Sequence, residues 1–180
     1  MTTNDTTWAI DTSHSSVTFS VRHMMISNVK GEFARFSGTA RFSAAAPERA
    51  SVEVEVDLAS IDTHDDKRDG HLRSADFFDV ERHPKMTFRS TAVRRAGDGL
   101  SIDGDLTIKG VTRKVTLAVD GPTGEHADPW GNLRVGASAT ATIKRSEFGI
   151  TWNTALEAGG VLVGDDVKIH VDVSLVKQKA

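Results

Sequence analysis

Seven histidines and a scatter of aspartates and glutamates are the residues of this chain with the means to do chemistry. A metal site asks for histidines at ligand spacing, such as a helical i, i+4 pair or His-Glu-x-x-His, and none of the histidines is so placed. A nucleophilic hydrolase asks for a hydroxyl or thiol positioned beside a base, yet there is no Gly-x-Ser-x-Gly elbow and no cysteine. Asp11, Asp76 and Glu147 could perform acid–base work only if the fold brought them together; singly they read as caps and surface pairs. No catalytic residue, metal ligand or cofactor is therefore expected. Arg68, Arg73 and Arg145 carry the planar guanidinium fork that suits phosphate or carboxylate. Gly159 and Gly160 precede no helix, so they read as a rim loop and not as a phosphate loop.

The elements that must position these groups follow from the alternation of apolar and polar residues, since a period of two gives a strand one buried and one wet face. Val17, Phe19 and Val21 alternate with Thr18, Ser20 and Arg22. Val52, Val54, Val56 and Leu58 form a second such run. Met86 and Phe88 begin another, followed by Leu100, Ile102, Leu106 and Ile108, then by Val115, Leu117 and Val119. Two long runs close the chain: Leu133, Val135, Ala137, Ala139, Ala141 and Ile143, then Val167, Ile169, Val171, Val173 and Leu175. Each long run keeps its parity. Between Val29 and Ser43, Phe33 and Phe36 lie on opposite parities, and a bulge near Ala34 and Arg35 is needed to aim both inward.

Turn signals at Ala44 to Pro47, Gly97-Asp98-Gly99, Lys109-Gly110 and Gly121 through Pro129 separate the runs as antiparallel neighbours. One interval lacks alternation. Arg68, Leu72, Ala75 and Phe78 recur at helical spacing, which predicts one helix over about residues 64–78, capped by Asp62 or Thr63 and lying between the third and fourth strands. The sum is an all-β domain of about eight antiparallel strands plus one helix, the strand count of a small closed barrel.

The chain has 180 residues, 38% of them hydrophobic and 26% charged, which fits one compact domain over residues 1–180. With 25 acids against 22 bases mixed along the chain there is no basic field, which excludes nucleic acid as a partner. No stretch approaches the length needed to span a bilayer. Residues 1–7 form a short polar leader with no apolar core, so the expected location is cytoplasmic.

Several segments together resemble the YceI-like family. They are Trp8-Ala9-Ile10-Asp11-Thr12-Ser13-His14-Ser15, Phe19-Ser20-Val21-Arg22-His23, Gly31-Glu32-Phe33 with Gly38, the run from Arg68 to Asp79 followed by His83-Pro84, the run from Gly104 to Thr112, Lys144 to Ile150, and Val163 to Val167. Each is weak alone; their order and spacing are specific. The resemblance implies an extended lipocalin-like barrel that encloses an isoprenoid or similar apolar lipid, with no enzymatic activity, and a homodimer. It also implies an export signal in many relatives, which this chain departs from in lacking.

A thin wall runs through Gly136 to Ala141, where Ala137, Ala139 and Ala141 place only methyl groups inward, and Gly104 leaves similar room. Opposite it, Phe19, Phe33, Phe36, Phe42, Phe88 and Trp152 either fill the barrel or line a tunnel; tapering barrels use such alternation to pack, so the pattern alone leaves both open. The resemblance implies the tunnel, with Val21, Val54, Leu72, Phe77 and Leu106 completing its lining. His14, His23, Arg68, His71 and Arg145 are then the expected polar mouth. Fatty acyl chains would satisfy the same lining, and an enzyme acting on such a lipid at the mouth is the alternative from another class.

Overall fold

A computed structural model describes residues 5–43, 45–157 and 159–179. Residues 1–4 of the polar leader and Ala44 of the first predicted turn lie outside the described residues. In chain order the strands are β1 (Thr6–Ile10), β2 (Ser16–His23), β3 (Ser27–Phe33), β4 (Phe36–Phe42), β5 (Ser51–Asp57), β6 (Ile61–Asp62), β7 (Lys85–Ala96), β8 (Gly99–Ile108), β9 (Val111–Asp120), β10 (His126–Ala127), β11 (Leu133–Lys144) and β12 (Val163–Lys177), with α1 (Asp66–Arg73) between β6 and β7.

The strands β11-β9-β8-β7-β5-β4-β1-β12 follow one another in a ring of eight that the β11–β12 pairing closes. All pairings are antiparallel. The long β12 makes closure possible: it pairs with β11 along one edge, and along the other with β1 and then β2 end to end. Likewise β3 pairs with β2 while β4 pairs with β1, so two bent double-length strands extend the barrel beyond its ring.

The bends have local causes. Asp11 breaks the first pair of strands by accepting from Ser13 N at 3.1 Å and capping the turn Thr12–His14. At Ala34 and Arg35, where a bulge within one extended segment is expected, the segment instead breaks, β3 ending at Phe33 and β4 beginning at Phe36. There Ala34 N donates to Ser60 O and Arg35 N to Ser60 Oγ, and Phe33 and Phe36 are both buried. Lys109 and Gly110, with φ of 54° and 75°, form the tight turn between β8 and β9, the twist-matched geometry for a two-residue hairpin.

Four further expectations need correction. The helix is eight residues long and ends at Arg73, short of Phe78, because Ser74 leaves helical geometry and its hydroxyl caps His71 O at 2.6 Å. The segment then folds back, with Phe78 N bonding Leu72 O and Val80 N bonding Arg73 O, and these turns bring Leu72 and Phe78 together. The cap is Asp65, which accepts from Arg68 N, while Thr63 donates instead to the buried Asp69. The leader is not wholly outside the fold, since Thr6 and Thr7 pair with Phe42 and Arg41. Finally, β7 changes parity: a bulge between Ser90 and Ala92 carries the buried face from Phe88 to Val93.

Candidate functional site

Side chains that point into the barrel are only half-buried along one side. Phe19, Val21, Val167, Ile169, Val171 and Val173 all remain partly accessible although each lies on the inner parity of its strand. They face empty space. One cavity of about 450 Å³ is lined from β2, β3, α1, the turn after it and β12; a second of about 190 Å³ lies among β4, β5, β7, β8, β9, β11 and β12. Val17, Met86 and Ile169 line both, so the two chambers adjoin inside one barrel, the first the outer and the second the inner. Among the inner chamber's lining side chains only Thr39 and Ser138 are polar. Pockets for drug-sized ligands run about 300–1,000 Å³.

Of the expected lining, Phe19, Val21, Phe33, Leu72, Phe77 and Trp152 border the outer chamber, and Phe42, Val54, Phe88, Leu106, Ala137 and Ala139 the inner one. Phe36 borders neither; at the start of β4 it packs with Phe33, Val56, Leu58 and Ile61. Ala141 borders neither, lying against the packed cluster that includes Ile143, Phe148 and Ile150. Gly104 leaves no room, because the ring of Phe88 on β7 covers it so closely that an added Cβ would sit 2.3 Å from Cζ. Beyond Phe42, Trp8 is 1% exposed and stacked on Phe42 at 5.4 Å, filling the barrel at that end.

The mouth lies at the other end, where exposed Arg22, Asp65 and Lys67 share the lining with His23, Arg68, His71 and Arg145. Arg145 is sunk in the wall and donates to four carbonyls, Gly164 O, Ile150 O, Trp152 O and Val163 O, at 2.8–3.1 Å. It thereby ties the connection between β11 and β12 to the barrel. Burial presses its pKa below the ordinary arginine value, with the charge of Asp165 opposing. Arg68 is held by Thr63, to whose hydroxyl and carbonyl it donates at 2.8 and 2.7 Å. His71 bonds Asp76 at 2.9 Å and sets its ring edge-on between Phe77 and Trp152, so α1 and the β11–β12 connection meet there.

His14 is not at the mouth. It is exposed at the β1–β2 junction, bonded to Asp11 at 2.8 Å. Ser13, His14 and Asp11 look like a nucleophile–base–acid group, but Ser13 Oγ and Asp11 Oδ2 both engage the same ring nitrogen, Nδ1. A relay needs one partner on each nitrogen. Asp11, Asp76 and Glu147 stand on three separate turns. Arg73 bonds Ala59 O and Ile61 O and faces no chamber. Among the described residues no group of three His, Cys, Asp or Glu is placed to hold a metal, and no helix is long and apolar enough to cross a membrane.

Several lining residues were not foreseen as such. Val17 and Val167 were visible as inward members of alternating runs. Phe78, Phe148 and Ile150 sit on turns, where no period exists to mark them, and Arg22 reaches the mouth from the outer parity because β2 ends there.

A closed eight-stranded antiparallel barrel around an apolar interior with internal cavities is a barrel of the lipocalin type. Within that class the chain belongs to the YceI-like domain family, which it matches over residues 8–175. It is 44% identical over 139 residues to a UPF0312 protein of Ectopseudomonas mendocina, covering 77% of this chain and 72% of that one. It is 38% identical to protein YceI of Salmonella newport, covering 92% and 83%. Among solved structures, BcnA of Burkholderia cenocepacia superposes with a TM-score of 0.79 at 28% identity, over 92% of this chain and 98% of BcnA. A polyisoprenoid binding domain of Saccharophagus degradans shares the fold, with a TM-score of 0.67 at 16% identity over 95% and 98%.

Proposed function

We propose that this protein binds one long apolar lipid, a polyisoprenoid chain, as a non-catalytic carrier or reservoir, with the tail threaded from the outer chamber into the inner one and the polar end left among the mouth residues. The observation that carries this reading is the pair of successive chambers, the inner lined almost wholly by hydrocarbon. Such a lining selects by burial: each methylene removed from water contributes about 0.8 kcal/mol, so a few isoprene units offset the cost of association and reach micromolar affinity. The narrow two-chamber path suits a flexible chain better than a compact ring system. Membership of the YceI-like family supports the reading, and the Saccharophagus domain, which shares the fold, is named for polyisoprenoid binding. His23, Arg68 and His71 are the groups proposed to meet the polar end, with Arg145, committed to four backbone carbonyls, lending its charge from the wall. A homodimer is proposed on the family resemblance and is read directly by light scattering.

The test is titration of delipidated protein with a polyprenol and with a saturated alcohol of similar length, in the wild type and in Ala139→Phe. The phenyl ring would stand in the inner chamber beside Ala137. The expected outcome is loss of polyprenol binding with little change in stability. Overpacking a filled core costs about 1–3 kcal/mol, so destabilisation of that size with binding unchanged would mean that the barrel is a packed module. Equal binding of the saturated alcohol would broaden the ligand to acyl-type chains.

A further inference from the structure

The tip of the β2–β3 hairpin is built against local preference. Met24 and Met25 both have positive φ, 52° and 62°, and Ile26 N closes the turn on His23 O at 3.2 Å. That backbone is the one asparagine and glycine adopt readily, whereas other residues that carry a Cβ, methionine included, adopt it at a cost. What the strained turn presents is apolar: Met24 is 43% exposed, Met25 53% and Ile26 76%.

The tip is not isolated. Met24 N bonds Leu162 O at 2.8 Å, the Met25 side chain lies over Gly160, and Val161 beside them is 39% exposed. Four apolar side chains from two loops therefore project together. They project at the mouth, because His23 on one side of the tip and Leu162 and Val163 on the other line the outer chamber. Exposed Arg22 and Lys67, and half-buried Arg68, line the same rim, and none of the three is in an ion pair among the described residues. The acids near this end are Asp65, Asp66, Asp76, Glu157, Asp165 and Asp166, of which Asp65 spends one carboxylate oxygen capping α1, Asp76 bonds His71, Asp165 accepts from Ser146 N and Oγ, and Asp166 pairs with Lys144.

We propose that this end of the barrel docks on an anionic bilayer surface, Met24, Met25, Ile26 and Val161 entering the interface and Arg22, Lys67 and Arg68 meeting lipid phosphates, so that the chamber opens onto the membrane. A protruding apolar tip with cations behind it is the arrangement that an interface of headgroups and acyl chains accepts. Four side chains are far short of the roughly 800 Å² per partner that a stable protein dimer buries, which disfavours a second copy as the occupant. The docking stands apart from the identity of the enclosed lipid.

The test is flotation with vesicles of phosphatidylcholine and of phosphatidylcholine mixed with phosphatidylglycerol, using wild type and the double variant Met24→Asn, Met25→Gly. That variant supplies the residues the turn prefers, so its melting temperature should not fall and folding is not in question. The expected result is binding by wild type to the anionic vesicles above all, reduced on the order of tenfold in the variant as two methionine side chains are lost from the interface, and reduced again by Lys67→Glu. Polyprenol loading in solution, measured alongside, should be the same for both proteins. Wild type that ignores both vesicles, a variant that floats as well as wild type, or a tip-dependent dimer in sedimentation without vesicle binding would each overturn the proposal, while failure of polyprenol loading alone would count against the enclosed lipid only.

Discussion

Glycine and arginine show how far single residues can be read before folding. Gly104 suggests room because it lacks a side chain, yet Phe88 on β7, diagonal to it across the pairing with Ser90, lays its ring over the bare backbone. An aromatic covering a strand glycine is one contact, not a gap, and only the register between β7 and β8 reveals it. Gly104→Ala should destabilise the protein by about 1–3 kcal/mol, since the new methyl meets both the ring and Arg89 O. Urea denaturation will show this as a lowered midpoint, and adding Phe88→Leu should restore part of it. Full stability in Gly104→Ala would mean that the ring does not lie where the structure puts it. Arg145 was legible as a cation near the mouth, but not as a buried one, because its partners are four backbone carbonyls that carry no sequence signature.

At the scale of elements, alternation located the long strands because their inner faces hold small or apolar residues throughout while their outer faces are mostly polar. It failed where one residue is inserted. Across Ser90, Thr91 and Ala92 no large apolar side chain marks either parity, so the change of face on β7 left no trace, whereas Phe33 and Phe36 on opposite parities mark the change of parity at which β3 ends and β4 begins. The short β1 shows too few residues to alternate, and the helix was overread because turns after Arg73 mimic its spacing.

Elements are also joined by charge. On the barrel wall Arg134 of β11 donates to Asp11 at the β1–β2 junction at 2.7 Å and to Asp128 at 2.8 Å. Ser13 first, then Arg134 and His14, hold the Asp11 carboxyl well below its usual range, and Arg134 foremost lowers Asp128 to about 2. Both folded values lie below the ordinary 3.8, so the stability these groups contribute is complete above that value and is lost as pH falls toward about 2. Thermal melts should decline over that acid window. Arg134→Met should flatten the decline, leaving the smaller contributions of Asp57, Asp103 and Asp165, whose carboxyls are also lowered. A melting curve equally steep in both proteins would separate the clamp from acid stability.

For the whole molecule, an all-β barrel with one helix was legible because eight strands of fixed parity have few other ways to bury their faces. Whether the barrel is full was not. That depends on how far apart opposing walls stand, which follows from the β11–β12 closure and from the doubled strands β1–β2 and β3–β4 that lengthen the interior. Phe19 and Ile169 pair across β2 and β12 with both side chains half-buried; the same two residues in a narrower ring would touch the opposite wall. The central claim is that this interior encloses a lipid chain, and native mass spectrometry of protein purified without detergent, followed by organic extraction, tests it most directly. The account predicts one polyisoprenoid per chain, released on extraction and absent from Ala139→Phe. Protein that is purified empty and takes up no added polyprenol would contradict it.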